Sequence, residues 1–272
     1  VAESNDAGAR TSPFNAAIDV SVSINPAEVK VANERRGGVT RALVAPEASG
    51  SIFAGEGAVI DLGNDPQPVT RARAFQFVEL GEGGGRLAGG SRPAAYAMLR
   101  DALSQAQDYR RNPGSFGGRE KDSLVKRGDA EALLRVLDGA VPLVVHVERA
   151  SDILTVLALP RDYPKLKLVL TGVSEGWMVA REIAAARVPV IAAALADLPA
   201  QFESLGATES NGGRMRAAGV QVSLASTGAN GGEHNLRQYA GNLVGITRVP
   251  GHTGLNWGDA LASITSGPAA AL

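Results

Sequence analysis

The sequence contains no cysteine, which excludes disulfide bonds, thiolate metal sites and a cysteine nucleophile. It also lacks an excess of charge of one sign, because 27 basic and 28 acidic residues leave a net charge of -1. A chain without a strong positive field does not concentrate nucleic acid or anionic lipid at its surface. We therefore expect a small-molecule substrate or a protein partner, and neither nucleic acid nor a membrane.

Long apolar runs are absent as well. The longest, such as 188-VPVIAAALA-196, are far shorter than the roughly 20 residues that a membrane-spanning helix needs. The first residues, VAESNDAGAR, are polar and show no basic and apolar signal peptide, so we expect that any export signal has been removed or never existed.

What the sequence does contain is an alternation of short apolar runs with amphipathic segments. The candidate strands are 39–45, 58–62, 74–80, 141–147, 166–171, 188–194 and 220–226. The candidate helices are 92–111, 128–139, 151–159, 174–186 and 257–266. The strand interiors are apolar nearly throughout, as in parallel strands that are buried on both faces. This pattern predicts an α/β fold with one β/α barrel domain over residues 1–272, and an open doubly wound sheet is the competing architecture.

Two local patterns give further expectations. Ser151 and Ser174 stand where a helix N-cap belongs, each followed by an acidic residue within the first turn. The segment 81-GEGGGR-86 lacks the GK[ST] ending of a phosphate-binding loop, so we interpret it as a flexible loop.

The strongest candidate for chemistry is His146, near the end of 141-VPLVVHV-147. Barrel enzymes carry their reactive residues at the carboxyl ends of strands, and the two-residue strand period puts His146 on the same face as Glu148. A histidine there binds a metal or acts as a general base, with Glu148 or Asp152 to orient its second nitrogen. A buried histidine bonded to a backbone carbonyl is an equally good interpretation. Arg149 lies within the same turn.

Glu175 and Trp177 directly follow the candidate strand 166–171. A tryptophan at a barrel mouth forms an apolar wall for a ligand, and packing a helix onto the barrel is its other common use.

The loop 226-STGANGGEHN-235 is polar and glycine-rich, which suits contact with a substrate and equally suits a flexible connector. Its candidate residues are Thr227, Asn230, Glu233 and His234. His252, in 250-PGHTG-254, is interpreted as a surface loop residue.

Several segments together resemble the imidazolonepropionase-like branch of the metal-dependent amidohydrolase superfamily. They are 37-GGVTRALVAP-46, 54-AGEGAVIDL-62, 141-VPLVVHVERASDILTVLAL-159, 167-KLVLTGVSEGWMVAREIAAARVPVI-191 and 256-NWGDALASITSGPAAAL-272. The resemblance implies a (β/α)8 TIM-type barrel that binds one or two divalent metals, often zinc, and activates water to hydrolyse amide or ester-like bonds. Relatives of this branch are often exported in bacteria, which favours a periplasmic or secreted location over the cytoplasm.

The resemblance also implies metal ligands, of which this sequence retains one. His146 matches the strand-five histidine. The strand-four lysine has no equivalent in 74-AFQFVEL-80, the strand-six histidine is replaced by Gly172 or by Thr171, and the strand-eight aspartate is replaced by Thr227. The paired histidines of strand one would precede residue 1. We therefore expect no cofactor, or a weakly held divalent metal that is zinc by resemblance and bound at His146.

Three further residues carry donor groups that could rebuild a metal site. They are Glu79, Glu233 and His234. The family's first strand and small β-sandwich domain are not found in this sequence, so we expect a homo-oligomer or further chain segments to complete the barrel.

Two functions stay open on the sequence. The first is an amidohydrolase-like hydrolase of a small amide, cyclic amide or ester. Its catalytic candidates are His146, Glu148, Asp152 and Glu175, and its substrate-binding candidates are Arg149, Trp177, Thr227, Asn230 and His234. The second is a noncatalytic relative that binds a ligand or a protein partner. A weaker third interpretation is a barrel enzyme that binds phosphate through the loop after the last strand.

Overall fold

A computed structural model describes residues 6–116, 123–194, 196–225 and 232–272. The chain divides into two compact units. The first unit contains residues 1–32, 40–144 and 163–167, and the second contains residues 33–39, 145–162 and 168–272. The single domain over residues 1–272 stays a prediction.

All seven candidate strands form strands, and the order of the strands in the sheet follows the chain. They are β1 (Arg41–Val44), β2 (Phe53–Asp61), β3 (Val69–Glu79), β4 (Leu143–Val147), β5 (Leu168–Gly172), β6 (Val190–Ala193) and β7 (Val222–Ala225). With the helices between them, they make a mixed α/β protein, as the sequence predicts.

Each of the five predicted helical segments contains a helix, and the structure adds helices that the amphipathic segments did not predict. They are α1 (Val29–Arg36), α2 (Glu82–Leu87), α3 (Arg92–Arg111), α4 (Arg127–Leu137), α5 (Ala150–Leu157), α6 (Leu159–Asp162), α7 (Ala180–Ala186), α8 (Asn211–Ala217), α9 (Leu236–Gly245), α10 (Trp257–Ser263) and α11 (Ser266–Ala271). Short 3-10 helices cover Val20–Ser23, Pro113–Phe116, Gly176–Val179, Phe202–Ser204, Glu233–Asn235 and Ile246–Arg248. Within the described ranges, no helix is long and apolar enough to cross a membrane.

Helix α3 shows why these residues form helices. The Ser91 side chain accepts a hydrogen bond from the backbone N–H of Ala94, which satisfies one of the free donors of the first turn. Its buried residues recur every three or four positions and form one apolar face: Ala95, Leu99, Ala102, Leu103, Ala106 and Tyr109.

In the first unit, β1 pairs with β2 and β2 pairs with β3, and both pairings are antiparallel. The prediction that all candidate strands are parallel is therefore wrong for these three. The reason lies in the connections, residues 45–52 and 62–68, which are shorter than the dozen or so residues that a parallel crossover needs.

In the second unit, strands β5, β6 and β7 are parallel. Thr171 pairs with Ile191, and Ile191 pairs with Ser223, so the carboxyl ends of the three strands lie at one edge. The N–H of Val173 donates to the carbonyl of Val147, which places the end of β4 beside the end of β5. Ligands bind at this edge in parallel α/β proteins.

Two local predictions are wrong. The segment 81-GEGGGR-86 is not a loop, since α2 begins at Glu82. A Cβ atom on Gly84 would overlap the carbonyl oxygen of Glu79, so glycine is needed there for close packing rather than for flexibility. Ser151 and Ser174 are not N-caps, because α5 is preceded by Arg149 and the Ser174 hydroxyl binds another side chain.

The side chain of Gln76, on β3, is fully buried, and neither of its amide atoms has a hydrogen-bond partner among the described residues. Burying an amide without partners costs free energy that an apolar side chain of similar volume does not incur. We expect Gln76→Met to raise the free energy of unfolding by about 1 kcal/mol, measured by urea denaturation. Gln105→Met is the control and should lower it, because the Gln105 side-chain oxygen accepts bonds from Ser123 and Leu124. A similar loss for both variants would contradict the prediction.

Candidate active site at the end of strand β4

Three side chains of the second unit meet where β4 and β5 end. His146 Nε2 lies 3.0 Å from Glu148 Oε1. The other oxygen of Glu148 accepts two hydrogen bonds from Ser174, at 2.6 Å from its hydroxyl and 2.8 Å from its backbone N–H. The histidine side chain is 29% exposed and the glutamate 18%, so the pair is accessible from one side.

The turn that brings Ser174 to Glu148 has a strained backbone. Gly172 and Val173 are consecutive residues with positive φ angles, 85° and 50°. A β-branched residue rarely adopts this conformation, and such strain persists only where the surroundings enforce it. Val173 is held by full burial and by Asn211, whose side-chain amide donates to the Val173 carbonyl at 3.0 Å. Strain of this kind concentrates at functional sites.

The order of the three groups decides what chemistry they can perform. Glu148 lies between His146 and Ser174, so the serine hydroxyl donates to a carboxylate and is not activated by the imidazole, as a serine nucleophile must be. Burial by itself raises the pKa of Glu148, but the hydrogen bond and charge of His146 and the two bonds from Ser174 outweigh it, so that this pKa lies below its usual value. This geometry fits an ionised Glu148 that holds His146 in place, and the role of Glu148 stays a prediction.

The Glu175 side chain joins two segments at the same end of the strands. One of its oxygens accepts from the N–H of Ala150, the first residue of α5, and the other accepts from the N–H of Gly206, both at 3.0 Å. With both oxygens engaged by backbone and the residue buried, Glu175 has the geometry of a positioning residue.

Asp152 and Arg149 form an ion pair at the start of α5. Arg149 Nη2 donates to Asp152 Oδ1 at 2.8 Å, and the carboxylate is buried. The bond to Asp152 raises the pKa of Arg149, and the nearby charges of Glu175 and Glu203 add to this effect. Asp152 thus contacts Arg149, and its proposed role of orienting His146 stays a prediction.

Trp177 is fixed at both its backbone and its ring. Its N–H donates to the Asn211 side chain at 3.0 Å, and its indole N–H donates to the carbonyl of Gly206 at 2.8 Å. The Arg214 guanidinium lies 4.5 Å from the ring centroid, a cation–π contact. The ring therefore holds the segment around Gly206 in place, and a role as a wall for substrate stays a prediction.

His234 pairs with a different carboxylate. Its Nδ1 lies 3.3 Å from Oε1 of Glu34, a buried residue of α1. Thr227 and Asn230 lie outside the described residues, as does the side chain of Glu233.

The described residues do not fit the metal site that the family resemblance implies. A Cβ atom on Gly172 would lie 2.6 Å from Glu148 Oε1 and 2.8 Å from His146 Nε2, closer than Cβ atoms approach other atoms. The His146–Glu148 pair thus fills the place that a strand-six histidine would need. Glu79 accepts a hydrogen bond from the N–H of Gly81. Across the part of the chain that the structure describes, no three His, Asp or Glu residues form a group that could hold a metal ion.

The close approach at Gly172 predicts a stability change. Gly172→Ala should lower the free energy of unfolding by about 2 kcal/mol, because the methyl group meets both the positive φ and the His146–Glu148 pair. Gly219→Ala is the matched control, since Gly219 has a φ of 93° but nothing within 4 Å of its added Cβ. It should cost about 1 kcal/mol. Equal losses in urea denaturation would show that the pair does not resist the methyl group.

Comparison with known proteins shows a similarity of fold to a solved structure. No family model matches the chain, and no curated protein matches it. The crystal structure of an amidohydrolase from Thermotoga maritima MSB8 superposes with a TM-score of 0.83 and 19% sequence identity, over 97% of this chain and 69% of that one. At this identity the likeness concerns the fold alone. The chain therefore has an amidohydrolase-like fold.

Proposed function

We propose that this protein is an amidohydrolase-like hydrolase that acts on a small amide, cyclic amide or ester without the family's metal. The observation that carries the proposal is the His146–Glu148 pair, accessible at the carboxyl end of β4 and braced by the strained turn at Gly172 and Val173. The amidohydrolase-like fold supports the reaction class. We also propose that the fold is a (β/α)8 TIM-type barrel and that the protein is related to the imidazolonepropionase-like branch.

In the proposed reaction, His146 accepts a proton from the attacking water. Nε2 is the nitrogen available for this step, because Nδ1 is buried. For this step the imidazole proton lies on the buried Nδ1, and the water replaces the direct 3.0 Å contact between His146 Nε2 and Glu148 Oε1 and donates one hydrogen to each of these atoms. Glu148 stays in place because its other oxygen remains bonded to Ser174. The hydroxide attacks the carbonyl carbon, and the proton on His146 passes to the leaving nitrogen or oxygen.

Turnover of a compound panel tests this proposal. Purified protein, treated with a chelator and then freed of it, is assayed against small amides, lactams, lactones and aryl esters. We expect hydrolysis of at least one class at a rate that the chelator does not change. Absence of turnover across the panel, with or without added zinc or manganese, would reject the hydrolase.

A second candidate function is a noncatalytic relative that binds a ligand with the same residues. It is favoured by how fully Glu148 is engaged, since its Oε1 lies 3.0 Å from His146 Nε2 and its Oε2 already accepts two hydrogen bonds from Ser174. Under this alternative, panel compounds would stabilise the protein against heat but would not be consumed.

A further inference from the structure

Segment 198–206, which follows β6 in the second unit, exposes large apolar side chains. Leu198, Phe202 and Leu205 are 79%, 85% and 64% exposed. The side chain of Met178 is half exposed. Its terminal methyl group lies next to Gly206, in the space that a Cβ atom on Gly206 would occupy, so Met178 contacts the same segment. We call these four side chains the apolar surface. Single exposed apolar residues are common on proteins, whereas several on one short segment mark a contact site.

Hydrogen bonds hold the backbone of this segment in place. The Gly206 N–H donates to Glu175 and the Gly206 carbonyl accepts from the Trp177 indole, at 3.0 and 2.8 Å. Ser204 and Gln201 bond to each other across the 3-10 helix, at 3.1 and 3.3 Å. Glu203 is buried between the outward-facing Phe202 and Leu205. A preformed backbone thus presents the apolar side chains to solvent, and binding there would cost little ordering entropy.

Gly206, the last residue of the segment that carries the apolar surface, is fixed close to the residues that follow the His146–Glu148 pair. One carboxylate, that of Glu175, bonds both to Gly206 in this segment and to Ala150, two residues after Glu148. Two N–H groups on one carboxylate must be close to each other, so the segment is fixed beside the residues that follow β4.

We infer that the apolar surface binds an aryl or branched alkyl group of the substrate while the His146–Glu148 pair acts on the neighbouring amide or ester. This inference rests on the proposed function. The substrate is the occupant assigned here because Glu175 joins this segment to the residue that begins α5, two residues after Glu148.

The test compares the binding of two probes, N-benzylacetamide and N-methylacetamide, by saturation-transfer NMR. Wild-type protein should bind the benzyl compound about tenfold more tightly, since the ring buries apolar area that the methyl group lacks. Phe202→Ser with Leu205→Ser should abolish that preference and leave the methyl compound unchanged. Phe202→Leu should retain most of it. Leu261→Ser, at a residue of α10 that is 61% exposed, is the control and should change nothing.

The outcomes separate this inference from the proposed function. Benzyl preference that survives the double serine variant, or that wild type never shows, would overturn the inference even if His146-dependent hydrolysis is found. Preference that depends on Phe202 without any hydrolysis would support the apolar surface and reject the hydrolase. Self-association that sedimentation detects in wild type and not in the double variant would assign the surface to a second copy instead.

Discussion

The variant His146→Gln should lose about 100-fold or more in kcat/KM on whichever compound the wild-type protein hydrolyses. Glutamine keeps a polar group near Glu148 but cannot accept and return a proton, so the loss isolates acid–base chemistry from packing. His146 is half-buried, and the variant's folding is checked by urea denaturation. The measurement is a steady-state comparison at one pH, in which kcat should fall more than KM rises.

The matched control for this variant is His252→Gln. His252 is exposed and its Nδ1 lies 3.4 Å from the Pro250 carbonyl in its own turn, so the substitution should leave kcat/KM within about twofold. Comparable losses for both histidines, or full activity in His146→Gln, would remove His146 from the mechanism.

Arg135→Met should lower the free energy of unfolding by about 3 kcal/mol. In the first unit, the Arg135 guanidinium donates to Glu56, a carboxylate that is 5% exposed, and to the carbonyl of Arg73 at 3.0 Å. Without the guanidinium, the charge partner that Glu56 keeps within the described ranges is the more distant Arg73 side chain, at 4.0 Å. A buried charge left without its main partner is one of the costlier consequences of a single substitution.

The free energy of unfolding that Arg135→Met loses should be larger at high pH than at low pH. Burial raises the pKa of Glu56, while Arg135 and Arg73 lower it, and the net result is a pKa above the usual value. A glutamate whose folded pKa exceeds its unfolded pKa stabilises the fold at low pH, and that contribution is lost as pH rises through the folded pKa. Removing Arg135 raises the folded pKa further. Arg135→Met should therefore be more damaging at about pH 8 than at about pH 4.5, because model glutamates titrate near 4.3.

A double-mutant cycle with Glu56→Gln checks this interpretation. The double variant should be more stable than Arg135→Met alone at about pH 8, since it has no buried carboxylate to leave unpaired. An equal loss from Arg135→Met at both pH values, or no recovery in the double variant, would contradict the ion-pair account.

Much of the fold could be predicted from the sequence, because strand and helix patterns are local. The apolar run containing His146 forms β4, and helix α3 has the predicted bounds 92–111. Pairing direction could not be predicted in the same way, since an apolar run looks alike in parallel and antiparallel sheets. The connections 45–52 and 62–68 are too short for parallel crossovers, and their length indicates that β1, β2 and β3 pair antiparallel.

In the candidate site, the sequence predicted His146 and its contact with Glu148, but it did not predict the contacts of Ser174 and Glu175. His146 and Glu148 are two residues apart on a strand, so their contact follows from strand geometry. Ser174 reaches Glu148 only because Gly172 and Val173 adopt positive φ angles, and a valine gives no sequence signal for that conformation. Glu175 likewise accepts hydrogen bonds from backbone groups that only the folded chain brings near it. Its side-chain type suggested a catalytic residue, whereas its geometry fits a positioning residue.

Hydrolysis by this protein should depend on His146 and not on a metal. Metal content and turnover rate are measured on one and the same purified sample, before and after chelation, for wild type and His146→Gln. We expect far less than one metal ion per chain, a wild-type rate that chelation does not change, and almost no rate for His146→Gln. A rate that falls with chelation and returns in proportion to added zinc or manganese would contradict this prediction.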